Sequence, residues 1–210
     1  MSTPPPTGLL VAALRSGSGK TTVTLGLLRA LARRGLAVTG AKCGPDYIDP
    51  AFHAAATGRP SFNLDAWAMP PELMAHLARR AGAGADLVVA EGLMGLFDGV
   101  PAAPGRSGAS ADVARALGLP LLLVLDVSGQ SQSAAAIAAG VRAYAPDLTI
   151  AGVILNRVGS ERHRRLVSEA IAALGLDVLG AVPRTPDVVL PERHLGLVQA
   201  AETSGLDAIL

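Results

Sequence analysis

Short runs rich in leucine, valine and isoleucine alternate along the chain with stretches whose apolar residues recur at helical spacing. The runs at 8–14, 36–41, 86–90, 121–125, 149–155 and 177–181 read as strands. Between them, 21–34 places Val23, Leu27, Leu28 and Leu31 on one helical face, and Gly35 stops that helix. Segments 70–81, 110–117, 133–144 and 161–174 also read as helices, the first opened by Pro70. The strand runs are continuously apolar rather than alternating, as in strands buried on both sides. The pattern predicts an α/β fold: a parallel sheet with helices on both faces.

Length and composition narrow this picture. A chain of 210 residues fits one domain, and a 50% hydrophobic, 17% charged composition supports a sizeable core rather than disorder. No apolar run is long enough to span a bilayer, and the proline-rich start lacks the basic region of a signal peptide. Residues 1–7 are expected to be a flexible N-terminus, 8–210 the domain, and the protein cytoplasmic. A net charge of +1 and 3% aromatic residues give no case for a nucleic-acid surface. One cysteine excludes a disulfide framework or a cysteine-rich metal site, and Cys43 reads as a buried thiol. His53, His76, His163 and His194 show no metal-ligand spacing, and Trp67 and the methionines read as core or pocket wall.

In such sheets ligands gather beyond the carboxyl ends of the strands, so the segments following each strand carry the chemistry. The first is Arg15-Ser16-Gly17-Ser18-Gly19-Lys20-Thr21-Thr22, a glycine-rich turn opening a helix. Its backbone N–H groups suit phosphate oxygens, Lys20 suits β- and γ-phosphate charge, and the Thr21 hydroxyl suits Mg2+. Leu14 stands where the usual pattern has glycine, so this is a variant P-loop, and the fold expected is of P-loop NTPase type. Lys20 and Lys42 are the only lysines beside sixteen arginines, and both follow predicted strands.

The second segment, 42–50, carries Asp46 and Asp49, which fit Mg2+ ligands and turn or cap residues alike. The third, 91–99, opens with Glu91, where a P-loop protein puts a second acidic group, and includes three glycines. The fourth, 126–133, offers hydroxyls and amides, Ser128 among them, for a substrate carboxylate or for a helix cap. The fifth is Asn156-Arg157, whose asparagine suits adenine or a turn.

Four stretches together resemble one family: Ser16-Gly17-Ser18-Gly19-Lys20-Thr21-Thr22, the segment from Lys42 through Pro50, the segment from Glu91 through Gly99, and Leu190-Pro191-Glu192-Arg193-His194-Leu195-Gly196-Leu197. They look like the ATP-dependent amidoligase domain of the cobyrinic or hydrogenobyrinic acid a,c-diamide synthases, with wider kinship to dethiobiotin synthetase and the partition-type ATPases. The resemblance runs over about residues 8–202. It implies amidation of two corrin carboxylates through acyl phosphates, using ATP, Mg2+ and glutamine or ammonia. It implies that Lys20 and Thr21 hold the triphosphate and Mg2+, that Glu91 and Asp46 complete the metal shell, and that Asn156 reads adenine. Asp49, Tyr47 and Asp98 would lie nearer the reacting carboxylate.

The family's glutaminase lies in a separate domain after this one and is not expected within these residues, so free ammonia should serve this chain and glutamine should not. A homodimer is also implied. Arg15 stands where partition-type ATPases carry a signature lysine, and suits the γ-phosphate, a polyanionic substrate or plain solvent. Two other readings stay open from the residues: a partner-regulated ATPase switch, and a ligase acting on a nickel tetrapyrrole.

Overall fold

A computed structural model describes residues 7–185 and, by backbone alone, 192–193 and 196–197. Thirteen elements follow in order: β1 (Gly8–Ala12), α1 (Lys20–Arg33), β2 (Val38–Cys43), α2 (Asp49–Thr57), β3 (Phe62–Leu64), α3 (Pro71–Gly82), β4 (Leu87–Glu91), α4 (Ser110–Leu117), β5 (Leu121–Asp126), α5 (Ser133–Tyr144), β6 (Ile150–Val158), α6 (Glu161–Ala172) and β7 (Val178–Pro183). A two-residue pair, β8 (Glu192–Arg193) and β9 (Gly196–Leu197), forms a separate antiparallel ribbon. The other residues of the 190–197 segment, His194 among them, lie outside the described residues.

Seven strands make one sheet in the order β3-β2-β4-β1-β5-β6-β7, and every pairing is parallel. Side chains alternate across a strand, so each apolar run feeds two cores. Leu121, Leu123 and Leu125 face one side with Met74 and Ala78 of α3, Val113 of α4, Val141 of α5 and Ile171 of α6. Leu122 and Val124 face the other side with Leu25 and Leu28 of α1 and Phe52 and Ala56 of α2. The expected sheet with helices on both faces is thus present, and the sequence boundaries agree to within a few residues.

Two of the thirteen elements, α2 and β3, were not expected, nor was the β8–β9 ribbon. Segment 42–50 reads in sequence as one loop, yet Lys42 and Cys43 complete β2 and Asp49 begins α2. β3 is only three residues long. Asn156 and Arg157 likewise lie inside β6, not after it. Trp67 and Met94 are exposed, whereas Met74 is core.

The order of strands positions the site. β1 is flanked by β4 on one side and β5 on the other, so the chain leaves β1 in one direction and later returns to its opposite edge. A crevice opens beyond the carboxyl ends at such a reversal. The ends of β1, β2 and β4 meet there.

Candidate functional site

The loop after β1 turns sharply into α1. Gly19 has φ +88°, a left-handed conformation that glycine adopts without strain, and a Cβ there would stand 2.1 Å from Asn156 Nδ2. Asn156 reaches from β6 beneath this loop and donates to the Ser18 carbonyl at 2.8 Å. Ser18 Oγ in turn donates to the Arg15 carbonyl at 3.0 Å. Ser16 and Gly17 are exposed at the tip, and Thr22 is half-buried in the first turn of α1.

Lys20 is buried, and its Nζ donates to the Met94 carbonyl at 2.5 Å. Met94 is one of two non-glycine residues with positive φ among the described residues (49°). Burial holds the Lys20 ammonium below its usual pKa, against the pull of Glu91.

Register brings the acidic and basic groups together. Lys42 of β2 stands opposite Glu91 of β4. Their side chains meet at 3.0 Å, and Lys42 Nζ also lies 2.5 Å from Asp49 Oδ2 and 4.0 Å from Asp46 Oδ2. Glu91 is fully buried, at 0% exposure, and both its oxygens are used. Oε1 accepts from Thr21 Oγ1 at 2.5 Å and from Lys42, and Oε2 lies 2.8 Å from His53 Nε2. Burial alone would raise the Glu91 pKa, but the Lys42 charge and the His53 and Thr21 hydrogen bonds hold it well below the usual carboxylate range.

Burial and the neighbouring Glu91 charge push Asp49 up, because Lys42's one charge serves two carboxylates. Burial would lower the Lys42 pKa, but Glu91 and Asp49 together raise it above its usual value. Asp46 plays both roles left open by the sequence. Its Oδ1 accepts from the Ile48 and Asp49 backbone N–H groups at 2.8 and 3.0 Å, shaping the start of α2, while Oδ2 faces Lys42.

Asp98 and Tyr47 lie outside this network. Asp98 is exposed and accepts from the Gly95 N–H at 2.8 Å, close enough for its charge to act on Lys20. Tyr47 is 76% exposed. Arg15 and Ser128 belong to a second cluster at the ends of β5 and β6. There Asp126 accepts from Arg15, Arg157 and Ser128 Oγ at 2.8, 2.6 and 2.7 Å. Ser128 therefore closes a turn on Asp126 and caps no helix, since α5 begins at Ser133 with Gln132 before it. Cys43 is fully buried, and burial pushes its thiol up to about 12.

Sequence reasoning missed His53 as a functional group and left Lys42 undecided. The signal for His53 was present: Asp49, Phe52, His53 and Ala56 share one helical face, and all four are buried. It required knowing that 49–57 is a helix.

A nucleotide and Mg2+ fit these residues. Beside two lysines stand Asp46, Asp49, Glu91 and Asp98, an excess of negative charge next to a phosphate-shaped loop. Among the described residues no three His, Cys, Asp or Glu groups converge as a preformed cage. Mg2+ at a triphosphate needs only one or two protein ligands beside phosphates and water.

Residues 9–198 match the family model described as the CobQ/CobB/MinD/ParA nucleotide binding domain. The chain belongs to this family. It is 62% identical over 202 residues to a hydrogenobyrinate a,c-diamide synthase of Mesorhizobium japonicum, covering 96% of this chain and 46% of that protein. Synthases of the same name from Agrobacterium fabrum and Rhodobacter capsulatus are 59% and 62% identical, with 45% and 47% of their lengths covered. The chain thus spans about half the length of these curated relatives. Among solved structures, chloroplast FtsY from Physcomitrella patens has TM-score 0.57 at 19% identity, covering 84% of this chain and 58% of that one. FtsY from Thermotoga maritima has TM-score 0.53 at 16% identity, covering 88% and 64%. These two likenesses are of fold alone. Among the described residues no helix is long and apolar enough to cross a membrane.

Proposed function

We propose that residues 8–210 form the ATP-dependent amidating domain of an a,c-diamide synthase acting on hydrogenobyrinic or cobyrinic acid. The observation that carries this reading is the continuous network Thr21–Glu91–Lys42–Asp49, which joins the P-loop to the acidic start of α2. A plain nucleotide-binding loop needs no second cation buried against two carboxylates. A ligase that brings a polycarboxylate to a γ-phosphate does need charge-neutralising groups there.

In this reading the backbone of Ser16, Gly17, Ser18 and Gly19 cradles phosphates, with Thr22 in the same turn. Lys20 exchanges the Met94 carbonyl for phosphate oxygen. Thr21, Glu91 and Asp46 would hold Mg2+, which when bound neutralises phosphoryl charge. Lys42 and Asp49 flank the incoming carboxylate, with Tyr47, Asp98, Arg15 and Ser128 at the rim as substrate contacts. Asn156 supports the loop from below through the Ser18 carbonyl, and adenine recognition is the role the resemblance gives it.

The chemistry balances simply. A substrate carboxylate oxygen attacks the γ-phosphorus and ADP leaves. Ammonia then attacks the acyl carbon and inorganic phosphate leaves. Ammonia would come from glutamine through a glutaminase domain lying in the half of the relatives that this chain does not span, and two copies would pair.

The test is mass spectrometry of hydrogenobyrinic acid incubated with the chain, Mg-ATP and ammonium chloride. Sequential mono- and diamide are expected, both lost in Lys20→Ala. Bound nucleotide with no amide formed would instead favour an ATPase switch.

A further inference from the structure

We propose that His53 is a positioning residue that locks the Glu91 carboxylate in the orientation needed at the metal and nucleotide site. This rests on the nucleotide reading above and adds a residue to it.

Three elements grip Glu91. Thr21 of α1 and Lys42 of β2 both address Oε1, at 2.5 and 3.0 Å. Among the described residues only His53 of α2 addresses Oε2, at 2.8 Å. Without it, one oxygen of a fully buried carboxylate has no donor, and that penalty falls on the orientation in which Oε1 meets Thr21 and Lys42. The two partners on Oε1 hold that oxygen and leave Oε2 unserved.

The imidazole is itself held. Its Nδ1 lies 3.2 Å from Ser61 Oγ, and the ring is 0% exposed. The Glu91 carboxylate can only accept, so Nε2 is the donor of that bond, and Nδ1 shares its hydrogen bond with the Ser61 hydroxyl, which can give or take. The fold also makes room for the ring. A Cβ on Gly40, in the middle of β2, would stand 2.5 Å from His53 Cβ and 2.8 Å from Cγ. The glycine lets α2 lie close enough on the sheet for the ring to reach across β2 to the end of β4.

Partners that orient a ligating group commonly govern metal affinity by about tenfold or more when removed. The test uses a fluorescent N-methylanthraniloyl ATP, titrated with and without Mg2+, in parallel with thermal unfolding. His53→Ala should leave nucleotide affinity in EDTA unchanged and raise the Mg2+ concentration for half-maximal tightening by about tenfold. His53→Gln keeps an N–H donor and should recover most of that loss. Ser61→Ala, at a half-buried position that tolerates the change, should give a smaller shift of the same sign. Folded His53→Ala protein with unaltered Mg2+ dependence would overturn the proposal. So would wild-type Mg2+ dependence in both Ser61→Ala and Gly40→Ala should His53→Ala not fold, since Gly40→Ala displaces the ring without removing it. Failure of the unaltered chain to bind the nucleotide would overturn the nucleotide reading and this one with it.

Discussion

Lys42 and Glu91 stand opposite each other in two adjacent parallel strands, and their charged groups meet at 3.0 Å with less than a tenth of either exposed. Neither charge would survive there alone. Removing the cation leaves Glu91 and Asp49 as neighbouring buried carboxylates. Lys42→Ala should therefore cost about 3–5 kcal/mol. Thermal unfolding should show a fall in Tm on the order of 10 °C.

The depressed Glu91 pKa has a definite sign for acid stability. The carboxylate remains charged in the folded state below the ordinary glutamate value of 4.5. Its contribution is full above that pH and is lost as pH falls through the lower folded value. Asp126, also lowered from 3.8 because Ser128 and Arg157 outweigh its burial, acts in the same sense. Asp49, raised from 3.8, acts in the opposite one. Urea midpoints should drop steadily below pH 4.5, and Glu91→Gln should flatten that drop while lowering stability at neutral pH.

Gly19 and Asn156 should prove coupled. Gly19→Ala combines a left-handed backbone with a contact at 2.1 Å and should cost about 1–3 kcal/mol. Asn156→Ala removes that contact together with the Ser18 hydrogen bond. The two costs should fail to add by about 0.5 kcal/mol or more in denaturant unfolding. Strict additivity would show that the asparagine does not press on the loop.

The Asp126 cluster should be lopsided. Arg15 is 65% exposed and Arg157 43%, while the Asp126 side chain is 3% exposed. Arg15→Ala should cost about 0–1 kcal/mol, and less in high salt. Asp126→Ala, which strips a partner from Ser128 and both arginines at once, should cost about 1–3 kcal/mol. Equal effects from the two variants would mean that the cluster is no more than a surface pair.

Cys43 should be chemically silent. Burial removes the thiol from solvent and pushes its pKa up to about 12. A disulfide reagent should leave the native chain unmodified and label one thiol per chain in denaturant. Labelling of the native chain at the rate of a free thiol would show that the β2 end opens.

What the amino-acid sequence by itself determined is the alternation of strands and helices and the identity of the chemical groups. Both are local properties. Continuous apolar runs declare buried parallel strands, and Ser-Gly-Ser-Gly-Lys-Thr-Thr between a strand and a helix declares a phosphate loop wherever the rest of the chain goes. Lys20, Thr21, Asp46, Asp49 and Glu91 could be singled out because each follows a strand whose end must face the crevice.

The tertiary structure decided which groups touch. α2 was illegible because the stretch before it, Gly44-Pro45-Asp46, reads as a turn, and its nine residues are too few to show a period against that signal. Only once α2 is folded onto β2 does His53 point at Glu91 and Asp49 at Lys42. The register of β2 against β4, and the insertion of β4 between β1 and β2, join residues 49 positions apart into one ion pair. No local pattern encodes that meeting, because strand order follows from packing helices over two faces of a sheet whose hydrophobic runs are nearly interchangeable.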